Sequence, residues 1–338
     1  MQINKTKLLE ALAVVKPGLA NKEIIEQATS FAFINDRVVT YNDEISISHP
    51  VEGLKLEGAV VADKLYSLLG KIKKDEIEIN IEGSEIIITS GRIKAGLTLQ
   101  SEIKLPLGEE VATKSKWRAL PEKFNKSINF VMSSCSKDMS RVVLTAIHIH
   151  NEGFSEASDS YRVARYDLGE EMPVDTFLLP QAAAVEVVKF NPTKIAEGKG
   201  WIHFKTEIGS IMSCRILEDP YPNTAPHLKM KGTRIILPKT VEEVLDRAII
   251  FAKKDHMLDE IVTITLQEKR FKIRAESDSG WFEEEVNVHY EGDPVTFSIT
   301  PYLLKGILSE TQACELSKDK LKFEGENWVY LNMLRYSK

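Results

Sequence analysis

The feature that most constrains this chain is a repeat. Six times a short apolar strand end runs into a helix-start signal and then an amphipathic helix. The six starts are Ile3-Asn4-Lys5, Val61-Ala62-Asp63, Leu120-Pro121-Glu122, Leu179-Pro180-Gln181, Leu237-Pro238-Lys239 and Thr300-Pro301-Tyr302. Counted on the second residue they fall at 4, 62, 121, 180, 238 and 301, so the spacings are 58, 59, 59, 58 and 63. Four starts carry Pro, whose missing N–H costs nothing there and whose φ is already helical. Near-constant spacing over six copies confines the fold to architectures built from one supersecondary unit.

Each predicted helix has an apolar stripe at helical spacing: Leu8, Leu12 and Val15; Leu65, Leu68 and Leu69; Phe124, Ile128 and Val131; Val241, Val244, Leu245 and Ala248. Between helices the period changes to two. Glu76 to Ile81 alternates, as do Ile264-Thr265-Leu266 and Phe271 to Arg274, and Arg141 to His150 is a β-branched-rich run. These read as antiparallel strands with one wet face, joined by turns such as Glu82-Gly83-Ser84 and Asn151-Glu152-Gly153. One helix plus about four strands is then the unit, and two units bury a sheet face under two helices. The expected fold class is α+β, with three repeated domains over residues 1–110, 111–228 and 229–338. Boundaries fall near Leu107 to Ser115 and Pro226 to Lys231, both polar and loop-like.

No stretch approaches the ~18 uninterrupted apolar residues of a membrane helix, and Met1 to Pro17 lacks the pattern of a signal peptide. Cys135, Cys214 and Cys314 are far apart, odd in number and without CxxC spacing. That predicts reduced thiols, a cytoplasmic protein and no zinc site. The net charge of −6 argues against a tight nucleic-acid binder taken alone, but the charge is sorted. Lys and Arg are in excess over the helical windows, while the rest of the chain is acidic. Helices lying side by side would present a basic surface able to hold a phosphate backbone without reading sequence, on a body that repels DNA elsewhere.

Enzyme motifs are weak. There is no GxxxxGK[ST] loop, GxGxxG turn or HExxH helix. Glu197-Gly198-Lys199-Gly200 reads as a turn. His148 and His150 alternate on one strand face without a third ligand nearby, so they read as a sheet-surface pair rather than a metal site. His256 with Asp255, Asp259 and Glu260 reads as a solvated loop. The tryptophans Trp117, Trp201, Trp281 and Trp328 read as core or domain-junction residues. No catalytic residue, metal or cofactor is expected.

Local motifs carry a resemblance. Ser158-Asp159-Ser160-Tyr161-Arg162-Val163-Ala164 resembles the Thr-Asp-Gly-His-Arg-Leu-Ala segment of the bacterial DNA sliding clamps, the beta subunits of DNA polymerase III. Leu178-Leu179-Pro180 resembles their second-domain crossover. Tyr221-Pro222-Asn223 resembles their Phe-Pro-Asp turn, Ser90-Gly91-Arg92 a Ser-Gly-Arg turn, and Trp328 to Arg335 the Tyr-Val-Val-Met-Pro-Met-Arg-Leu end. The resemblance spans the chain in order and spacing. Departures are Tyr161 for His, Ser160 for Gly, Asn332 for the near-terminal Pro, and a tail continuing to Tyr336-Ser337-Lys338. They point to a divergent, phage-associated type of clamp.

The resemblance implies a head-to-tail homodimeric ring around double-stranded DNA, a non-catalytic processivity factor that tethers the polymerase catalytic subunit and is placed by a clamp loader. It implies a dimer interface of Ala95 and Leu97 against Ile250 and Phe251, with ordinary core as the plainer reading of the last two. It implies DNA contacts at Lys22, Lys137, Arg141, Lys253 and Lys254. A cleft for partner peptides would hold Leu144, Ser158, Tyr161, Arg162, Val163, Pro222, Val329, Tyr330, Leu331, Asn332, Met333 and Leu334, with Arg162 fixing the peptide's polar groups. The alternatives are a clamp-shaped interaction scaffold not loaded onto DNA, or an unrecognised hydrolase.

Overall fold

The computed structural model describes residues 1–107 and 116–335. Most of the first expected boundary and the tail Tyr336-Ser337-Lys338 lie outside the described residues. All six helix starts lead into helices: Lys5–Val15, Ala62–Lys71, Phe124–Val131, Gln181–Phe190, Val241–Ala252 and Pro301–Leu308. Local chemistry sets their ends. The Asn4 side chain caps the first helix by accepting from the Lys7 N–H at 3.0 Å, and Asn191 closes the fourth at φ 50°, a left-handed value that Asn tolerates. Each repeat is one short strand, its helix and three further strands, and the fold is mixed α+β.

Contacts divide the chain into two compact units, residues 1–125 with 172–218 and residues 126–171 with 219–338. The first unit holds repeats one, two and four, with the short strand that opens repeat three. Its large antiparallel sheet runs Gly58–Val61, Ser30–Ile34, Arg37–Tyr41, Ile45–Pro50, Ile211–Arg215, Trp201–Lys205, Lys194–Gly198 and Arg118–Ala119. Strands from repeats one and four join in the middle, Ile211 opposite Ser48 and Cys214 opposite Ile45. A four-stranded sheet runs Gln2–Asn4, Glu76–Glu82, Glu85–Ser90, Ile93–Thr98, leaving Ile93–Thr98 as a free edge. Leu8, Leu12 and Val15 are buried with Leu65, Leu69, Phe31, Phe33 and Ile47, so the two helices share one core.

The second unit repeats the plan with repeats three, five and six. Ala146–His150, Phe154–Ser158 and Arg162–Asp167 continue through Trp328–Met333, Lys320–Glu324 and Ala313–Leu316 to Thr233–Ile236. A four-stranded sheet runs Gly280–Asn287, Arg270–Ser277, Val262–Gln267, Val295–Ile299, with Gly280–Asn287 as its free edge. Val244, Leu245 and Ala248 bury the fifth-repeat helix against it.

One expectation fails locally and another narrows. The run Arg141 to His150 is a strand only from Ala146; Met139–Thr145 is 3-10, with Arg141 itself at φ −124°, ψ 67°. Asp138 accepts from the Ser140 N–H at 2.9 Å, and that turn chemistry overrides the β-branched propensity. Trp281 is 62% exposed on the free edge with the Arg274 guanidinium over its ring, which removes the core half of its expected reading as core or domain junction. Trp201 is buried, as expected.

Candidate functional site

The expected cleft residues lie in the second unit, around the join between Arg162–Asp167 and Trp328–Met333. The register pairs Arg162 with Asn332, Val163 with Leu331, Ala164 with Tyr330, and Arg165 with Val329. Because directly paired residues share a face and successive residues alternate, the cleft set splits in two. Val163, Val329, Leu331 and Met333 share one face; Arg162, Tyr330 and Asn332 share the other, against the helix Pro301–Leu308. Leu144 and Leu334 are buried, and Ser158 is tied to the Arg162 carbonyl at 2.8 Å. Only Tyr161 and Pro222 are exposed.

Arg162 is an internal strut. It is 2% exposed. Its Nε donates to Asp159 at 3.0 Å, and its guanidinium donates to the Tyr330 hydroxyl at 3.1 Å, the Ser133 carbonyl at 2.5 Å and the Tyr302 hydroxyl at 3.2 Å. It also lies 4.8 Å from the centre of the Tyr302 ring. Burial opposes its charge, yet Tyr330, Asp159 and Tyr302 hold its pKa above the ordinary arginine range. Burial pushes the Tyr330 phenol up to about 12. Four of five guanidinium N–H groups are thus committed inside the protein, so Arg162 offers a peptide a fixed strand rather than a free donor. Asn332 is fully buried; its Nδ2 reaches the Leu303 carbonyl at 3.4 Å, and its Oδ1 has no partner among the described residues.

A second polar knot holds the rim. Glu156 is 2% exposed on the same face as Val163 and Arg165. It accepts from Arg165 Nε at 3.0 Å and from a terminal nitrogen at 2.7 Å, and from the Thr224 hydroxyl at 2.5 Å; His148 Nδ1 lies 2.9 Å away. Burial works against the carboxylate, but the donors His148, Thr224 and Arg165 outweigh it and lower its pKa. The His148 ring stacks on Tyr221 at 4.8 Å. The segment Tyr221–Thr224 is therefore pinned at both ends, with exposed Pro222 between the pins. Sequence reasoning placed Pro222 but missed Glu156, Thr224 and Tyr302. A lone Glu in an alternating strand carries no signal of burial; only the convergence of Arg165 and His148 on its face would have.

The five expected DNA contacts are all exposed. Lys22, Lys137 and Lys253 with Lys254 follow the helices of repeats one, three and five. Lys253 lies 3.5 Å from the carboxylate of buried Glu260. Arg141 stands apart: it donates to Ser160 Oγ at 2.6 Å, which puts it beside Tyr161. Of the expected dimer residues, Ala95 and Leu97 are half-buried on the free edge Ile93–Thr98. Ile250 is 71% exposed, so the core reading fails for it, and Phe251 stacks on Phe282 of the free edge Gly280–Asn287 at 6.2 Å. The three cysteines are free and buried, and burial pushes the Cys135 thiol up to about 12. No described helix is long and apolar enough to cross a membrane.

No protein-family model matches this chain, and no curated protein matches it in sequence. Solved structures do match it. The beta chain of DNA polymerase III from Streptococcus pneumoniae TIGR4 superposes with a TM-score of 0.86 at 19% identity, over 99% of both chains. The DNA polymerase sliding clamp from Bacillus subtilis gives 0.84 at 18% identity, over 100% of this chain and 99% of that one. The DNA polymerase III beta subunit from Thermotoga maritima gives 0.83 at 17%, with the same coverage. The chain has the sliding-clamp fold, and the resemblance read from its motifs holds at that level.

Proposed function

We propose that this chain is a non-catalytic DNA sliding clamp. Two copies close head-to-tail around double-stranded DNA in the cytoplasm, a clamp loader places the ring, and the groove in the second unit tethers the polymerase catalytic subunit. The observation that carries this reading is the full-length fold held in common with proteins named sliding clamps. The three domains are residues 1–110, 111–228 and 229–338, each built of two repeats.

The chemistry is consistent with this role. The four-stranded sheet of each unit ends on a long unpaired strand, and an unpaired edge is a template for another chain. Ile93–Thr98 carries Lys94 and follows Arg92, while Gly280–Asn287 carries Glu283, Glu284 and Glu285. Joining unlike edges of two copies is a heterologous contact, which closes into a ring when the rotation permits. Ala95, Leu97, Ile250 and Phe251 flank the joint. Exposed Lys22, Lys137, Lys253 and Lys254 attract phosphates without binding any base, and weak contacts of that kind let a ring slide. The groove would present half-buried Val329 and adaptable Met333 over buried Val163 and Leu331, with Pro222 and Tyr161 at its rim.

The test has two parts. Sedimentation at micromolar concentration is expected to give about twice the 38.1 kDa chain mass. Protein loaded onto a closed circular duplex is expected to stay bound and to leave when the circle is cut. A monomer that is not retained on the intact circle even with a loader present refutes the clamp reading.

A further inference from the structure

The same point of the two sheet joins is filled with rings in one unit and open in the other. At this end of the join the second unit pairs Tyr166 with Trp328. The first unit sets His49 beside Ser210, with Nδ1 2.7 Å from the hydroxyl oxygen. His49 and Tyr166 are each the fifth residue of their strands, Ile45–Pro50 and Arg162–Asp167. The helices behind them correspond through their buried stripes, Leu8, Leu12 and Val15 against Phe124, Ile128 and Val131. On that alignment Val14 stands where Phe130 does. In the second unit the Phe130 ring centre lies 5.7 Å from that of Tyr166 and 5.1 Å from that of Trp328. In the first unit the three positions hold Val14, His49 and Ser210, which are smaller, and space is left.

That space is two adjoining cavities. One of about 420 Å³ lies among Val14, Phe190, Ser210 and Met212. The other, of about 640 Å³, follows the helix Lys5–Val15 past Ala11 to His49 and Val51. Val14 and Ile208 line both. Ile208 is 69% exposed where they meet. Its hairpin is held in place, since the Thr206 N–H donates to the Ser210 carbonyl at 3.0 Å and Arg37 to the Gly209 carbonyl at 2.8 Å. Small-molecule sites have volumes of roughly 300–1,000 Å³, apolar walls and a few placed polar groups.

The polar groups here suit a neutral guest. Lys189 is paired with Glu186 at 2.8 Å. An anion would meet Glu10, Glu52 and Glu186 as well as Lys7 and Lys189. Burial, and then Arg37, lower the His49 pKa, so the imidazole is uncharged near neutral pH. Among the described residues its Nε2 has no hydrogen-bond partner, which leaves one polar point in an apolar surround.

We propose that the first unit binds a small, uncharged aromatic molecule, of the size and polarity of indole or a phenol, in the space between Val14, His49, Phe190 and Met212. The guest stands in for the rings that the second unit supplies from its own chain. Its flat body lies against Val14, Phe190 and Met212, Ile208 covers it, and its polar edge meets His49. The proposal is independent of the clamp reading.

The experiment titrates the full chain with indole by isothermal calorimetry. One saturable site per chain is expected, with a Kd of about 0.1 mM for a ligand of this size. Val14→Phe places in the first unit the ring that the second already has, and is expected to weaken indole binding about tenfold or more by filling the site. Ile208→Ser, at an exposed position that costs little in folding, is expected to weaken it about threefold by removing the cover. Phe130→Val opens the equivalent space in the second unit and is expected to raise the stoichiometry from one to two. Absence of saturable binding by wild type overturns the proposal. Binding unchanged in both Val14→Phe and Ile208→Ser overturns the placement. A stoichiometry of one in folded Phe130→Val overturns the likeness between the units that identifies the guest as aromatic. N-acetyltryptophanamide bound far more tightly than indole makes the occupant a partner's side chain and overturns the free small molecule.

Discussion

The two sheet joins solve one topological problem with different chemistry. In the first unit, Ile45–Pro50 meets Ile211–Arg215 through partly buried contacts. Arg37 donates to Ser48 Oγ at 2.6 Å and to the Gly209 carbonyl at 2.8 Å, and His49 Nδ1 lies 2.7 Å from Ser210 Oγ. Nearby, a cavity of about 420 Å³ opens between Val14, Phe190, Ile208 and Met212. In the second unit, the equivalent join is backed on one face by buried Arg162 and on the other by buried Glu156. Charge inside protein is costly unless fully satisfied. The first join needs only to hold; the second also fixes two surfaces, the floor strand and the Pro222 rim, at the proposed partner groove. Buried polar networks specify one arrangement of neighbouring groups where an apolar core would tolerate several.

Substitution of the central arginines should separate the joins most. Arg162→Met strands Asp159 and removes donors from Tyr330, Tyr302 and Ser133, so a loss of about 3–5 kcal/mol is expected. Arg37→Met in the first unit should cost about 1 kcal/mol. Urea unfolding measures both, and equal losses would erase the contrast. Glu156→Gln comes next. It places a donor among donors, and about 1–3 kcal/mol is expected, together with weaker peptide binding as the rim loosens. The pH dependence fixes the sign. The folded-state pKa of Glu156 is lowered, so its contribution is present above the unfolded value of about 4.3 and lost as pH falls through the folded value. Wild type should lead the variant by a constant margin from pH 7 to 5, and the margin should shrink below about 4.3; a margin that grows on acidification would reverse the assignment. Smallest is Ile208→Ser at the cavity mouth. At 69% exposure it should change stability by less than about 0.5 kcal/mol, and a larger loss would mean that the cavity is closed over in solution.

The period was legible because six helices and their starts repeat local signals. The α+β class follows from helical stripes alternating with period-two runs, and all six starts lead into helices. Tertiary choices were not legible. Nothing local says that Ile45–Pro50 pairs with Ile211–Arg215, because pairing partners are set by the packing of distant repeats. The cleft residues were found as a group, but alternation on paired strands places Arg162, Tyr330 and Asn332 on the face opposite Val163 and Leu331. The resemblance gave Arg162 the role of fixing a peptide's polar groups, and only Asp159, Tyr302 and Tyr330 converging on it reveal a strut. Trp281 shows the reverse: of its two readings, core or domain junction, the core one fails, because it stands exposed on an edge strand where β propensity matters more than burial.

The joins also carry a timing. Arg37 and Gly209 lie 172 residues apart in sequence, and Arg162 and Tyr330 lie 168 apart. At a translation rate of roughly 5–20 residues per second, each early strand waits on the order of ten to thirty seconds on the ribosome before its neighbour exists. Ile45–Pro50 and then Arg162–Asp167 spend that interval as open sheet edges, the second opening before the first is covered. Such edges invite mispairing with other nascent chains. The two delays are nearly equal because the repeat that builds the molecule also sets its clock.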